Sequence, residues 1–123
     1  MNIIDSSGWL EYFSDGPNAD RYLLALNDPT ILIVPAITIY EVFKVVLRES
    51  TENGALQAVA AMQKGKVVEL TANIAMSAAK LSLQHKLPMA DSIILATAQA
   101  YGCVLWTQDS DFRAIEGVEY IVK

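Results

Sequence analysis

The sequence has very few of the nitrogen and sulfur side chains that hold most zinc sites. Cys103 is the only cysteine and His85 the only histidine. An intrachain disulfide is therefore impossible, and the chain offers no set of cysteine and histidine ligands for zinc. Cys103 lies in an apolar segment, where we expect a buried and inert thiol. We expect His85, near the end of a predicted helix, to be solvated.

Positive charge is also scarce. Lysine and arginine total 9 against 14 aspartates and glutamates, which gives a formal net charge of −5. Such a balance argues against binding of nucleic acid through bulk electrostatics. Any chemistry on nucleic acid then requires a local basic patch or metal ions.

Long apolar runs are absent, since none reaches membrane-spanning length. The first residues, MNIIDSSGWLEYF, lack the basic start of a secretory signal and include two acids. We therefore expect a cytoplasmic protein without membrane contact. Even so, 53% of the residues are hydrophobic and the mean hydropathy is +0.30. This excess favours either a surface that a partner covers or a tightly packed α/β domain with a buried sheet, and the two readings are compatible.

Strand and helix patterns alternate along the 123 residues, which we interpret as one domain spanning 1–123. This alternation is typical of a three-layer α/β/α fold with a central, mainly parallel sheet of four to five strands. The predicted strands are 2–4, 30–35, 66–70, 103–107 and 118–123. The predicted helices are 7–13, 17–28, 38–50, 54–65, 73–86 and 89–102.

Four acids from distant segments are predicted to meet at one edge of this sheet. Asp5 directly follows the first strand, and Asp109 follows strand 103–107. Glu41 and Asp91 lie in the first turns of helices 38–50 and 89–102, which run antiparallel to the strands. The first turns of such helices lie at the carboxyl edge of the sheet, where functional groups of open parallel sheets gather.

Each acid also has a purely structural interpretation. Asp5 is a suitable N-cap for helix 7–13, and Asp109 is suited to an Asx-turn. Thr38 and Glu41 match a T-x-x-E capping box, and Asp91 is favourable near a helix N-terminus.

Four carboxylates held together require protons or cations to offset their repulsion. A site of oxygen ligands suits Mg²⁺ or Mn²⁺, and such ions activate water for phosphodiester hydrolysis. The sequence leaves open whether one or two ions bind.

Lys44 and Arg48 follow Glu41 by three and seven residues on one predicted helical stripe. They are candidates for contacts to RNA phosphate. The alternative is ion pairing with Glu41 or Glu52.

Three segments together resemble the successive motifs of the PIN-domain nuclease family, most closely the VapC-type toxins of toxin–antitoxin pairs. They are NIIDSSGWLEYF, PAITIYEVFKV and LPMADSIILATAQAYGCVLWTQDSDF. The resemblance covers nearly the whole chain, and its most specific part is a helical aspartate, an apolar strand and then T-x-D-x-D-F. Ser92 stands where the family often has alanine, a small change beside Asp91.

The resemblance implies a metal-dependent endoribonuclease that hydrolyses RNA phosphodiester bonds as the toxin of a type II toxin–antitoxin pair. It implies catalytic roles for Asp5, Glu41, Asp91 and Asp109, with Asp5, Asp91 and Asp109 as metal ligands. Thr107 is expected to shape the last turn, Ser6 to support the site, and Asp111 to be an extra acid or an orienting residue. The implied partners are tRNA, rRNA or mRNA, a small cognate antitoxin, and a second copy in a homodimer.

Two other functions remain as hypotheses. A catalytically silent PIN-like binding module would keep the fold without the activity. A phospho-acceptor receiver domain also places acids and Mg²⁺ at the carboxyl edge of a parallel sheet. That fold usually needs paired acids after the first strand and an aspartate after the third, and the chain lacks both.

Overall fold

Short strands and longer helices alternate along the chain in the computed structural model, which describes residues 1–123. The strands are β1 (Asn2–Ile4), β2 (Ile33–Pro35), β3 (Lys66–Val68), β4 (Val104–Thr107) and β5 (Val118–Tyr120). The helices are α1 (Ser6–Phe13), α2 (Leu23–Leu26), α3 (Ala36–Glu49), α4 (Glu52–Met62), α5 (Ala72–His85) and α6 (Met89–Tyr101). Three single 3₁₀ turns complete the elements: Ala19–Tyr22, Pro29–Ile31 and Ser110–Phe112.

All paired strands are parallel. β4 lies between β1 and β5, and β2 pairs separately with β3. A single parallel bridge between Asn2 and Leu32 joins the two groups. The strand order is therefore β3-β2-β1-β4-β5, and the carboxyl ends of all five strands face the same edge. This confirms the predicted parallel sheet, with the difference that β1 and β2 hardly bond to each other.

Helices cover both faces of the sheet. Neighbouring residues of a strand point to opposite faces, so each strand contributes to two cores. Ile3, Ile33 and Leu105 pack into a core with α5 and α6. Ile4 and Val34 pack into a second core with α1, α3 and α4. The three-layer α/β/α architecture predicted from the sequence is therefore confirmed.

The predicted helix at 17–28 is shorter than expected. A 3₁₀ turn begins only at Ala19, and it continues into the single α-helical turn of α2, which ends at Leu26. The Glu11 carboxylate accepts the backbone N–H of Asn18 at 2.8 Å, just before this helical stretch. Tyr22 is fully buried beside Gly8, where any side chain would lie 2.6 Å from the tyrosine ring.

The predicted strand at 30–35 is shorter than expected. Asp28 accepts a hydrogen bond from the N–H of Thr30, and this turn converts Pro29–Ile31 to a 3₁₀ turn. β2 begins only at Ile33.

The helix predicted at 38–50 begins two residues earlier, directly after Pro35. Thr38 is therefore inside α3, where its buried hydroxyl has no hydrogen-bond partner. The T-x-x-E capping box is wrong for this reason, and Glu41 lies in the second turn of α3. No helix of the structure is both long and apolar enough to cross a membrane.

Candidate metal centre

Asp5 joins the end of β1 to the start of α1. Its backbone N–H continues the strand pairing to the carbonyl of Trp106, and its carboxylate caps α1. Oδ1 accepts hydrogen bonds from the N–H of Gly8 at 3.0 Å and from the Ser7 hydroxyl at 2.8 Å. Oδ2 accepts one from the Thr107 hydroxyl at 2.6 Å. The side chain is almost completely buried and held in a single position.

Thr107 links this capping aspartate to the turn after β4. Its hydroxyl donates to Asp5 and accepts the N–H of Asp109 at 2.9 Å. The Asp109 carboxylate in turn accepts the N–H of Asp111 at 2.9 Å, which forms the Asx-turn that opens the short 3₁₀ turn. Phe112, fully buried, anchors the far end of that turn in the core.

Helices α6 and α3 bring two more acids to the same edge. Asp91 lies in the first turn of α6, as predicted. Glu41 on α3 accepts a hydrogen bond from the Ser6 hydroxyl at the start of α1. Ser6 thus ties α1 and α3 together at the site.

The tightest group of carboxylates is Asp91, Asp109 and Asp111. One oxygen from each lies within 4.8 Å of the other two. Asp5 is outside this group, and its two oxygens accept hydrogen bonds from Thr107, Ser7 and Gly8. The closest set therefore differs from the ligand set expected from the sequence by having Asp111 where Asp5 was expected.

The electrostatics place Asp91 at the centre of the acids. Burial raises the pKa of its carboxyl to about 7, together with the negative charges of four neighbours. In order of effect these are Asp109, Asp5, Glu41 and Asp111. Burial also raises the pKa of Asp5 to about 6, even though three hydrogen bonds favour its charged form. The other three acids predicted from the sequence, and Asp111, therefore all lie close enough to Asp91 to raise its pKa.

The donor set fits a divalent cation. Every acidic side chain at this edge offers only oxygen, which suits Mg²⁺ or Mn²⁺. None of these carboxylates forms an ion pair with a lysine or arginine, since the only ion pair of the chain joins Arg48 and Glu49 on the surface at 3.2 Å. Buried, like-charged carboxylates without a cation are costly, and a bound divalent ion removes that cost.

The family model for the PIN domain matches residues 3–118. The chain belongs to the PIN domain family. No curated protein sequence gives a significant match.

Several solved structures share this PIN fold over almost the whole chain. A toxin–antitoxin complex from Klebsiella pneumoniae has 28% identity and a TM-score of 0.82, covering 97% of this chain and 96% of the other. VapC20 of Mycobacterium tuberculosis, described as a sarcin–ricin loop cleaving toxin, has 19% identity and a TM-score of 0.79, with 94% and 95% covered. VapBC2 from Rickettsia felis, bound to a DNA fragment from its promoter, has 13% identity and a TM-score of 0.76, with 97% of each chain covered.

The two cations predicted near Glu41 have other partners in this PIN domain. The Lys44 ammonium lies 5.5 Å from the centre of the Tyr40 ring and donates a long hydrogen bond of 3.4 Å to its hydroxyl. Arg48 pairs with Glu49. Neither pairs with Glu41 or Glu52, so that structural alternative is wrong.

Ser7 is a residue of the site that the sequence reasoning missed. It donates to Asp5 and lies 3.5 Å from the Thr107 hydroxyl. The N–H of Gln108 donates to it at 3.4 Å. Its place two residues after Asp5, at the start of α1, was the available signal. Gln108 was also missed, and nothing in the local sequence marks it.

Proposed function

We propose that this PIN domain is an endoribonuclease that uses Mg²⁺ or Mn²⁺ to hydrolyse phosphodiester bonds in RNA. The observation that carries the proposal is the group of Asp91, Asp109 and Asp111, whose carboxylates lie within 4.8 Å of one another and form no ion pair with a cation of the chain. Membership of the PIN family supports a nuclease. The fold shared with VapC20, a sarcin–ricin loop cleaving toxin, supports RNA as the substrate.

In this proposal Asp5, Asp91 and Asp109 hold the cation. Asp111 is a further ligand, because its carboxylate lies within 4.8 Å of those of Asp91 and Asp109. One or two bound ions would supply activated water at neutral pH and would stabilise charge on the leaving oxygen. Asp91, whose pKa is about 7 in the cation-free chain, would lose its proton on binding the cation.

The side chains around the acids fix their orientation. Thr107 and Ser7 hold the Asp5 carboxylate, and Ser6 holds one oxygen of Glu41. The other oxygen of Glu41 makes no hydrogen bond within the chain, and in this proposal it takes a proton from the attacking water. Such supporting hydrogen bonds keep the reacting groups in the geometry that the transition state needs.

Lys44 and Arg48 remain proposed contacts to the RNA backbone. Both are exposed, and their present partners hold them weakly: an exposed ion pair is worth only about 0–1 kcal/mol. Phosphate is a competitive partner for each cation. The substrate is tRNA, rRNA or mRNA.

We further propose that the chain is the toxin of a type II pair that a small antitoxin inhibits. Complexes of toxin with antitoxin are among the structures that share its fold. A groove of about 560 Å³ between α1, α3 and α4 has an apolar floor of the kind that receives an amphipathic helix. Its apolar lining consists of Leu10, Phe13, Val45, Val46 and Ala58.

The test is cleavage of a mixed RNA pool by the purified chain with Mg²⁺ or Mn²⁺, beside Asp5→Asn and Asp91→Asn variants and an EDTA control. The proposal predicts cleavage by the wild type alone, and only with metal. Equal cleavage in every arm would identify a contaminating nuclease and overturn the proposal. Mn²⁺ binding without cleavage of any RNA would instead favour the catalytically silent binding module.

A further inference from the structure

A second, polar pocket of about 290 Å³ opens beside Asp109, beyond the carboxyl ends of β4 and β5. Its lining consists of Ser7, Gln108, Asp109, Ser110, Tyr120 and Lys123. Ligand pockets in proteins commonly measure roughly 300–1,000 Å³, so this one suits a single small group such as one nucleoside. It adjoins the acids through Asp109 and is separate from the apolar groove on α1, α3 and α4.

Gln108 is the buried polar residue of this pocket, and only 7% of it is exposed. Its Oε1 accepts hydrogen bonds from the side-chain amide of Asn18 at 3.3 Å and from the Tyr22 hydroxyl at 3.4 Å. The Asn18 amide also donates to the carbonyl of Val122 at 3.1 Å, which fixes it as the donor. Burial raises the pKa of Tyr22, so its hydroxyl keeps its proton.

These contacts fix the Gln108 amide in one orientation. With Oε1 held on the inner side, the –NH₂ group is left without a hydrogen-bond partner in the chain. Because Gln108 lines the pocket, that free donor is available to a ligand there. A largely buried amide donor favours a ligand that presents an acceptor oxygen.

An aromatic ring and one cation, Tyr120 and Lys123, complete the lining of the pocket, and Arg113 lies near the same ring. Tyr120, half-buried at the end of β5, is in register with Thr107 of β4. The Arg113 guanidinium lies 6.0 Å from the centre of the Tyr120 ring, and Lys123 lines the opening. An aromatic ring beside cations is the combination with which proteins bind bases and phosphates of single-stranded RNA. Lys123 therefore brings one positive charge to the pocket beside Asp109, although no ion pair joins the two side chains and the net charge is −5.

We propose that this pocket binds one nucleoside of a single-stranded RNA, adjacent to the bond that is cleaved, and prefers uracil or guanine. The base stacks on Tyr120 and accepts a hydrogen bond from the Gln108 amide, while Lys123 contacts the neighbouring phosphate. In this proposal the exocyclic group at C4 of a pyrimidine or C6 of a purine faces Gln108. Uracil and guanine have a carbonyl oxygen there, whereas cytosine and adenine have an amino group, which cannot accept the hydrogen bond at that position. This inference rests on the proposed ribonuclease function for its substrate.

The test measures base preference in a chain that cannot cleave. The full chain carrying Asp91→Asn is titrated against fluorescein-labelled hexauridylate and hexaadenylate, with binding followed by anisotropy. We expect hexauridylate to bind about tenfold more tightly, the ratio that one unsatisfied amide donor produces.

Substitutions at two positions in the Asp91→Asn chain separate the contributions of the amide donor and of the aromatic ring. Gln108→Glu keeps an acceptor for Asn18 and Tyr22 but removes the donor, so the preference for uridine should disappear. The added negative charge should weaken the binding of both RNAs equally, so the readout is the ratio of their two dissociation constants. Tyr120→Ala should weaken hexauridylate about 5- to 100-fold, whereas Tyr120→Phe should retain its affinity. Tyr12→Ala, an exposed tyrosine on α1, is the matched control and should bind as the parent does.

Any of three results would overturn the proposed nucleoside site. They are an unchanged preference for hexauridylate in Gln108→Glu, unchanged binding of hexauridylate by Tyr120→Ala, and binding of neither RNA by the Asp91→Asn parent. Cleavage by the wild type separates this result from the proposed function. Metal-dependent cleavage together with unchanged base preference in the variants would contradict the nucleoside site and support the ribonuclease function. Selective binding that depends on Gln108, without metal-dependent cleavage, would contradict the ribonuclease function and support the pocket as an RNA-binding site.

Discussion

At the scale of single residues, the structural and the chemical interpretations of the acids hold together. Asp5 caps α1, as an N-cap aspartate should, and its charge also acts on Asp91. Asp109 forms an Asx-turn and also belongs to the tightest carboxylate group. The end of a parallel strand and the start of the next helix lie at the same edge of the sheet. A capping aspartate is therefore already placed where a site can form.

Thr107 offers a direct test of how the acids are positioned. Thr107→Val keeps the shape of the side chain but removes the hydroxyl that joins Asp5 to the turn of Asp109. Loss of such a supporting contact typically costs about 10- to 100-fold in metal affinity or activity. We expect a fall of that size in RNA cleavage, with KM for RNA nearly unchanged.

Thr97→Val is the matched control. Thr97 is equally buried, but its hydroxyl donates only to the carbonyl of Ile93 within α6. Full activity for Thr97→Val and a large loss for Thr107→Val would support the assignment. Equal losses would mean that removal of any buried hydroxyl impairs the fold, and would count against a positioning role.

The convergence of Asp5, Glu41, Asp91 and Asp109 was predictable, because it follows from strand direction alone. The orientation of Gln108 was not. It depends on Asn18 and Tyr22, which lie 90 and 86 residues away in sequence. No local pattern reports a hydrogen bond across that distance.

At the scale of helices and strands, long periodic elements were predictable and their ends were less so. α5 and α6 were predicted to within a residue or two because their patterns run for 14 and 13 residues. α3 starts earlier than predicted, since Pro35 can open a helix without a capping side chain. The helix predicted at 17–28 was too long at both ends, and its first turn is a 3₁₀ turn in the structure.

Helix α5 has an exposed apolar side that we propose as the homodimer surface. Met76 and Leu83 lie two turns apart on α5, and Met89 follows at the start of α6; they are 61%, 86% and 72% exposed. Leu83→Glu is expected to convert a dimer to a monomer in sedimentation velocity experiments, because it places a charge inside an apolar contact. Leu24→Glu, at a leucine of α2 that is 72% exposed, should leave the dimer intact. A wild-type chain that sediments as a monomer at high concentration would refute this surface.

At the scale of the whole molecule, the fold class was the most predictable feature. Alternating strands and helices leave few arrangements other than a parallel sheet with helices on both faces. The apolar excess is explained in part by the two separate cores on the two faces of the sheet. β1 and β2 are joined by a single bridge. This sparse pairing was not predictable, because the spacing of two strands depends on how the flanking helices pack.

The acids should make the stability of the cation-free chain depend on pH. Folding raises the pKa of Asp5 to about 6 and that of Asp91 to about 7, both from 3.8. The folded state thus binds more protons than the unfolded state between about pH 4 and pH 7, so the free energy of unfolding falls as the pH rises through this range. Urea denaturation in EDTA should show a less stable chain at about pH 8 than at about pH 5.

Asp91→Asn should remove much of that decrease, because it deletes the group with the higher pKa. Excess Mn²⁺ should restore stability at about pH 8 in the wild type, by about 2.7 kcal/mol at 100 times the dissociation constant. A wild-type chain in EDTA that is equally stable, or more stable, at about pH 8 would contradict the assigned pKa values.

The most direct test of the central claim is calorimetric titration of the metal-free chain with Mn²⁺ at about pH 7.5. We predict binding of one or two ions to the wild type, and affinity at least about 100-fold lower in Asp91→Asn, because that acid lies at the centre of the group. Asp20→Asn, at an exposed acid in the 3₁₀ turn after α1, should bind as the wild type does. The same isotherm for wild type and Asp91→Asn, or no binding to the wild type, would contradict a metal centre at this edge of the sheet.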